Sequence, residues 1–290
     1  MTNIHSADPV FIDDLEEDIL HDREHITFLL KNRVESEDFN LFALGDRALS
    51  LCGRLNRIGQ GSTLEFKGML QLASHSYCSA IYLSNYPYHE KELEIGLIGH
   101  PETFSRLSIG PNSMVYSGSW IKAFYLALAN GDLNDIENPL CVTTLAILQA
   151  SSTKPLPFRD LHFEALKAVF LGSPDRHDRM SALIDAVSFD KAKPIDQEYL
   201  LDIGSPEVTL LAAFVMKDTD LFNSQLEAVL KGHRHYFDRD GTAYTPDSHV
   251  RNGPQEWICL PAMAFASWAR LSGIPVRVES PYMPPPATYR

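Results

Sequence analysis

An all-α protein, one body of packed antiparallel helical hairpins with a short extended segment near its C-terminus, is the fold class this sequence predicts. Two observations carry it. Apolar residues recur at three- and four-residue steps almost throughout, and helix-capping or helix-breaking residues fall at the ends of those stretches. A third sets the scale: 290 residues suffice to bury roughly three quarters of the unfolded surface in one core.

Each element follows from the same reasoning. Over 8–33, Phe11, Leu15, Ile19, Ile26, Leu29 and Leu30 form an amphipathic stripe, with Asp8 as N-cap and Pro9 in the first turn. A second helix is expected over 38–58, with Phe42, Leu49, Cys52 and Leu55 inward and Gly59 and Gly61 as its stop. A third, over 62–85, starts at Ser62 or Thr63 and carries Met69, Leu70, Ala73, Tyr77, Ala80 and Ile81. The stretch 87–111 breaks the pattern, and 92–98 fits a short strand or an irregular connection equally. Helices resume over 112–130 and 138–151. The Ser-, Thr- and Pro-rich 151–157 reads as a loop; it divides the body into helical sub-halves, 1–150 and 158–290, without making them independent domains. Downstream helices are expected at 158–171, 175–188, 195–203, 206–216 and 219–237. A polar loop over 238–252 precedes a last helix at 254–271, ended by Gly273 and Pro275. The residues 276–279 are extended, and 281–286 hold too many prolines for a helix or a central strand. No period of 30 to 45 residues repeats, so nothing supports a regular solenoid.

Composition narrows the function. Apolar residues make up 44% and charged residues 22% of the chain, as in ordinary globular proteins. The longest apolar stretch, 210–216, is far below the 18 or so residues that span a bilayer. No basic segment followed by an apolar one opens the chain, so a cytoplasmic location is expected. Cys52, Cys78, Cys141 and Cys259 are scattered, without a C-x-x-C pair, and read as reduced core thiols. The 38 acidic side chains outnumber the 25 basic ones for a net charge of −13. Eleven of those acids lie in residues 1–40 beside only Arg23, Lys31 and Arg33. That field repels phosphate backbones and anionic lipid, which excludes nucleic acid and membrane as partners, and attracts a basic protein. The same acids would also serve simply to solvate a first helix.

A search for chemistry returns little. There is neither G-x-G-x-x-G nor G-x-x-x-x-G-K-[ST]. His89-Glu90 opens a zincin-like string, but Leu93 stands where the second histidine must be. His21 and His25 share a helical face among charged residues and read as surface; His233 and His235 point apart. Asp238, Asp240, Gly241 and Asp247 resemble part of a calcium loop, yet Tyr236 takes the first ligand position and no glutamate closes it. A turn is the better reading. Ser117-Gly118-Ser119 lacks the G-x-S-x-G spacing of a nucleophile elbow. The pairs Asp13-Asp14 and Glu16-Glu17 point in different directions on a helix and form no dyad. No metal, no cofactor and no enzymatic activity are expected.

Two segments are more specific. In 119–132, Trp120, Ala123, Ala127 and Asn130 share a stripe whose small residues let a neighbour approach closely. In 257–284, an almost wholly apolar helix with Trp257, Leu260, Ala264, Trp268 and Leu271 inward breaks at Gly273 and leads through Val276 and Val278 to Tyr282 and Pro284. Together they resemble the Immunity protein 49 family of bacterial polymorphic toxin systems. Its members carry a late helix of the form "slpllaLa-lA---G-P" leading to "V-S-YlP", well after a "W--A---Ala---" helix. The agreement covers roughly 90–150 and 205–285; the first 85 residues agree only in helical character. Trp268, where a small or aliphatic residue is usual, and Pro281 before Tyr282 are departures. The resemblance implies an all-α cytoplasmic protein, encoded beside a secreted toxin, that binds the toxin domain and protects the producing cell in interbacterial competition. It carries over no catalytic residue. With a toxin as partner, the charge of residues 1–40 makes the acidic segment the candidate toxin-binding face, with Asp13, Asp14, Glu16, Glu17, Asp18, Glu35, Glu37 and Asp38 as its residues and stoichiometric occlusion as the mode. A basic nuclease is the toxin such a face would suit. The alternatives are a tetratricopeptide-like scaffold that binds peptides and, more remotely, a hydrolase that reverses a toxin-made modification.

Overall fold

The computed structural model describes residues 12–36, 39–150, 157–188, 194–237 and 253–284. Helix α1 (Ile12–Asn32) buries Ile19, Ile26 and Leu30 against α2 (Leu41–Arg57). The expected cap Asp8 and the inward Phe11 lie outside the described residues. α2 begins three residues later than expected, where Asn40 caps it: the Asn40 side chain accepts from the Ala43 N–H at 3.3 Å. Thr63, one of the two expected caps, starts α3 (Leu64–Ser84) by accepting from the Phe66 N–H. Gly59 supplies the left-handed turn between α2 and α3, at φ 77°.

The ambiguous stretch is a hairpin. β1 (Glu92–Ile95) and β2 (Phe104–Leu107) pair antiparallel, with Glu92 opposite Leu107 and Ile95 opposite Phe104. Leu93, Ile95 and Phe104 face the core while Glu92 and Glu94 face solvent, the two-residue period of a half-buried sheet. Next comes α4 (Ser117–Asn130), buried on nearly every side, including the expected stripe of Trp120, Ala123, Ala127 and Asn130. The Trp120 indole N–H donates to the Leu140 carbonyl at 3.1 Å.

The single helix expected over 138–151 is not formed. A short α5 (Leu133–Asp135) runs into a π turn, Ile136–Leu140, closed by the Cys141 N–H on the Ile136 carbonyl at 2.9 Å. Pro139 lacks the donor an α-helix would use there. Thr144 then caps a separate α6 (Leu145–Gln149).

The second half contains α7 (Pro157–Phe170), α8 (Arg176–Ala186), α9 (Pro194–Tyr199), a π turn Leu200–Gly204, α10 (Ser205–Met216) and α11 (Thr219–Phe237). By length and composition, Gln197–Met216 is apolar enough to cross a membrane, further than the expected stretch 210–216. Its Val208, Leu210, Leu211 and Ala213 sit in the core, which equally demands an apolar helix. The last helix is split. A 3₁₀ turn (Pro254–Trp257) precedes an extended Ile258 and α12 (Leu260–Leu271). Pro261 explains the break, since in a continuous helix its ring would strike the Trp257 carbonyl; that carbonyl instead accepts from the Asn56 side chain at 2.9 Å.

The core is one continuous cluster that reaches from Ile19 to Met283. At its centre Trp268 packs 4.3 Å from the Phe214 ring and 5.8 Å from the Phe124 ring. Leu260, Ala264 and Trp268 are core as expected, but Trp257 is only half-buried and Leu271 is 57% exposed. Both lie at the ends of the expected helix, where the split and the Gly273 turn take them off the buried face. Cys52, Cys78 and Cys259 are buried free thiols, and Cys141 is half-buried. The extended C-terminal segment is pinned by the Asn223 side chain, which donates to the Pro275 carbonyl and accepts from the Arg277 N–H.

Candidate functional site

Charge is concentrated in two places. The first is α1. Asp14, Glu16, Glu17 and Glu24 are exposed on it. Asp18 is exposed too but held by Arg54 at 3.1 Å. Asp22, which no sequence pattern singles out, is buried between Arg47 at 3.0 Å and Arg54 at 2.6 Å. Arg23 makes a two-pronged pair with Glu65 of α3. The segment is therefore less uniformly acidic than its composition: its inner acids fasten α1 to α2, and its outer ones remain in water. Asp13 lies in α1, while Glu37 and Asp38 fall outside the described residues. Glu35 is exposed and lies apart from the helix, 3.4 Å from the His100 ring. Leu20 and Phe28, 54% and 53% exposed, share the outward side of α1 with Glu17 and Glu24, since successive residues turn by about 100°. His21 and His25 also lie here, rings 6.1 Å apart, with His21 exposed.

The second place is a cavity of about 420 Å³ that sequence reasoning missed. Elements from both halves of the chain converge on it. From α4, Gly118, Ile121, Lys122 and Tyr125 point in at helical spacing; from α11, Val229, His233 and Phe237 do the same. Arg159 of α7, Glu207 of α10 and Glu256 of the 3₁₀ turn complete the charged lining with Asp202. Two glycines make this convergence sterically possible. A Cβ on Gly53 would stand 1.6 Å from the Pro254 carbonyl oxygen, and one on Gly232 would stand 1.9 Å from that of Asp202. The first allows the 3₁₀ turn onto α2, and the second allows the π turn Leu200–Gly204 onto α11.

Inside, Glu207 is 3% and His162 0% exposed. The Tyr125 hydroxyl lies 3.2 Å from His162 Nε2 and donates to Glu207 Oε2 at 3.5 Å. His162 Nδ1 has no hydrogen-bond partner and stands 3.9 Å from the same oxygen. Burial, reinforced by Arg159, lowers His162 to about 3, so its ring is neutral at physiological pH. Burial raises Glu207 against the opposing pull of Arg159, and raises Glu256 to about 7 against that of Lys122. Burial likewise raises the Tyr125 hydroxyl and the Cys259 thiol, the latter with help from both glutamates. Arg159 lies 3.7 Å from Glu207 and stacks near the Phe158 and Tyr199 rings at 5.1 and 5.3 Å. Lys122 is satisfied by Asp46 at 2.6 Å and Gln255 at 2.8 Å. Such a site holds charge beside aromatic rings. Its thiol and phenol keep their protons, so neither is poised as a nucleophile. Among the described residues no group of three or more His, Cys, Asp or Glu side chains is placed to hold a metal. The calcium-like string around Asp240 lies outside the described residues. His233 is buried with its ring on the Glu256 carbonyl at 2.8 Å, whereas His235 is exposed and pairs with Asp202 at 2.7 Å.

Packed helical hairpins around one core, joined to a small hairpin sheet, define the class: an all-α globular protein. The model of the Immunity protein 49 family matches residues 75–287, and the chain belongs to that family of immunity proteins. The match runs through 151–204, where no resemblance was legible, and leaves α1, α2 and the first half of α3 outside. No curated protein and no solved structure matches the chain.

Proposed function

We propose that this protein binds the toxic domain of a cognate secreted bacterial toxin in the cytoplasm and neutralises it by stoichiometric occlusion, without catalysis. Family membership over 75–287 carries the reading. An immunity protein has a toxin for a partner, and an inhibitor needs no reacting groups of its own.

We place the toxin on the outward face of α1. There Leu20 and Phe28 are exposed apolar anchors set among Asp14, Glu16, Glu17 and Glu24, the combination of apolar centre and charged rim that protein interfaces use. A nuclease, whose substrate channel is basic, is the toxin class this face fits. Asp22 is buried in the attachment of α1, whereas Asp18, though paired with Arg54, stays exposed on the same helix.

Coexpression with the toxin domain encoded beside this protein should restore growth, and the pair should purify as a one-to-one complex. Changing Asp14, Glu16, Glu17 and Glu24 together to lysine should leave the melting temperature nearly unchanged, since exposed helix charges contribute only tenths of a kcal/mol each. It should slow association about tenfold or more and flatten its salt dependence. Association at the wild-type rate in low salt would place the interface elsewhere. A scaffold would instead bind short unfolded peptides.

A further inference from the structure

We propose that the cavity between α4, α7, α10, α11 and the 3₁₀ turn is a receptor site for an alkyl-guanidinium or alkylammonium cation, with Glu207 and Glu256 as its counter-charges. The cavity, at about 420 Å³, is within the range of sites that enclose small ligands, roughly 300–1,000 Å³. Its two carboxylates are poorly satisfied. Among the described residues the Glu256 carboxylate makes no hydrogen bond or ion pair. Glu207 is 3% exposed, yet its nearest polar neighbours are Tyr125 at 3.5 Å, Arg159 at 3.7 Å and His162 at 3.9 Å. Glu207 is almost wholly buried and Glu256 half-buried; a carboxylate drawn from water without close donors is costly, and a cation bearing N–H groups removes that cost. His162 Nδ1, fully buried and unpartnered beside Glu207, leaves the same region short of polar contacts.

The charge balance selects the sign of the ligand. Of the charged groups that line the cavity, Lys122 is held by Asp46 at 2.6 Å and Asp202 by His235 at 2.7 Å, both from outside the lining, which leaves Glu207 and Glu256 against Arg159. An anion would meet an excess of carboxylate; a cation meets attraction. The walls suit it as well. Tyr116, Tyr199 and Phe237 present rings, and rings attract guanidinium and ammonium groups. Arg159, 5.3 Å from the Tyr199 ring, shows one guanidinium already accommodated this way. The site stands apart from the α1 surface, and its assignment does not rest on the immunity role.

The test is calorimetric titration of the full-length protein with butylguanidinium and butylammonium, with butyrate as the anionic control. Saturable one-to-one binding of either cation, and none of butyrate, is expected. Glu256→Gln and Glu207→Gln should each weaken it about tenfold, while the exposed Glu90→Gln should not change it. Melting curves identify any variant that fails to fold, and the cation-against-butyrate comparison on the unaltered protein stands regardless. Binding unaffected by both glutamine variants, preference for butyrate, or no saturable cation binding overturns the assignment. Adding the toxin domain then distinguishes the sources of the cation. Displacement of butylguanidinium identifies a basic side chain of the toxin as the natural occupant, and undisturbed binding identifies a free amine.

Discussion

At neutral pH the Glu256 carboxyl sits near its own midpoint, pushed up to about 7 by burial. The folded chain therefore keeps a proton that the unfolded chain, at an ordinary 4.5, has lost. The stability this brings is fully present below about 4.5 and is lost as pH rises through about 7. His162 acts with the opposite sign. Its folded value of about 3 lies below the ordinary 6.5, so its contribution is present above 6.5 and lost as pH falls towards 3. Between pH 4.5 and 6.5 the two oppose each other, and comparison of variants separates them. Between pH 5 and pH 8, denaturant unfolding should show Glu256→Gln losing less stability than the unaltered protein, by on the order of 1–2 kcal/mol once residual exposure is allowed for. Equal losses would mean that Glu256 titrates as an ordinary surface carboxyl. Trp268, 8% exposed among Phe214, Phe124 and Phe170, should cost about 3–5 kcal/mol when changed to alanine. Protection should then fail through loss of fold. A Trp268→Ala protein with an unchanged melting temperature that still fails to protect would make this residue an interface instead.

The inner acids of α1 are structural at the scale of the element. Asp22→Ala leaves Arg47 and Arg54 without their common partner and should cost about 1–3 kcal/mol, whereas Asp18→Ala, whose side chain is 57% exposed, should cost tenths. Thermal melts of the two variants check this, and equal effects would contradict it. The same contrast marks the limit of sequence reading. Periodicity located α1 to α4 and α7 to α11 because each buries a stripe. It failed where backbone chemistry decided, at Pro139 and at Pro261, each of which denies a helix its continuous hydrogen bonding. The acidic face was legible as composition, but its division into inner and outer acids depends on arginines of α2 more than twenty residues away. The cavity was not legible at all, since its lining comes from many elements far apart in the chain. A single signal was present: Glu207 in an otherwise apolar helix, with His162 between Leu161 and Phe163 as a weaker echo. A charged residue on a buried face needs a partner, and two such residues in different helices point to a shared one.

For the molecule as a whole, the proposed function rests on a surface. Under that reading the net charge of −13 would favour encounter with a basic partner at long range, and Leu20 and Phe28 would supply the short-range apolar contact. The core from Ile19 to Met283 is continuous, and α1 packs onto it through Ile19, Ile26 and Leu30. Inhibition by occlusion has a stoichiometric signature that neither a scaffold nor a damage-reversing hydrolase shares. The most direct measurement is titration of the cognate toxin domain's activity with this protein at toxin concentrations well above the dissociation constant. The account predicts a linear fall that reaches zero at one equivalent. Full protection at a small fraction of an equivalent, or undiminished activity at several equivalents, would contradict it.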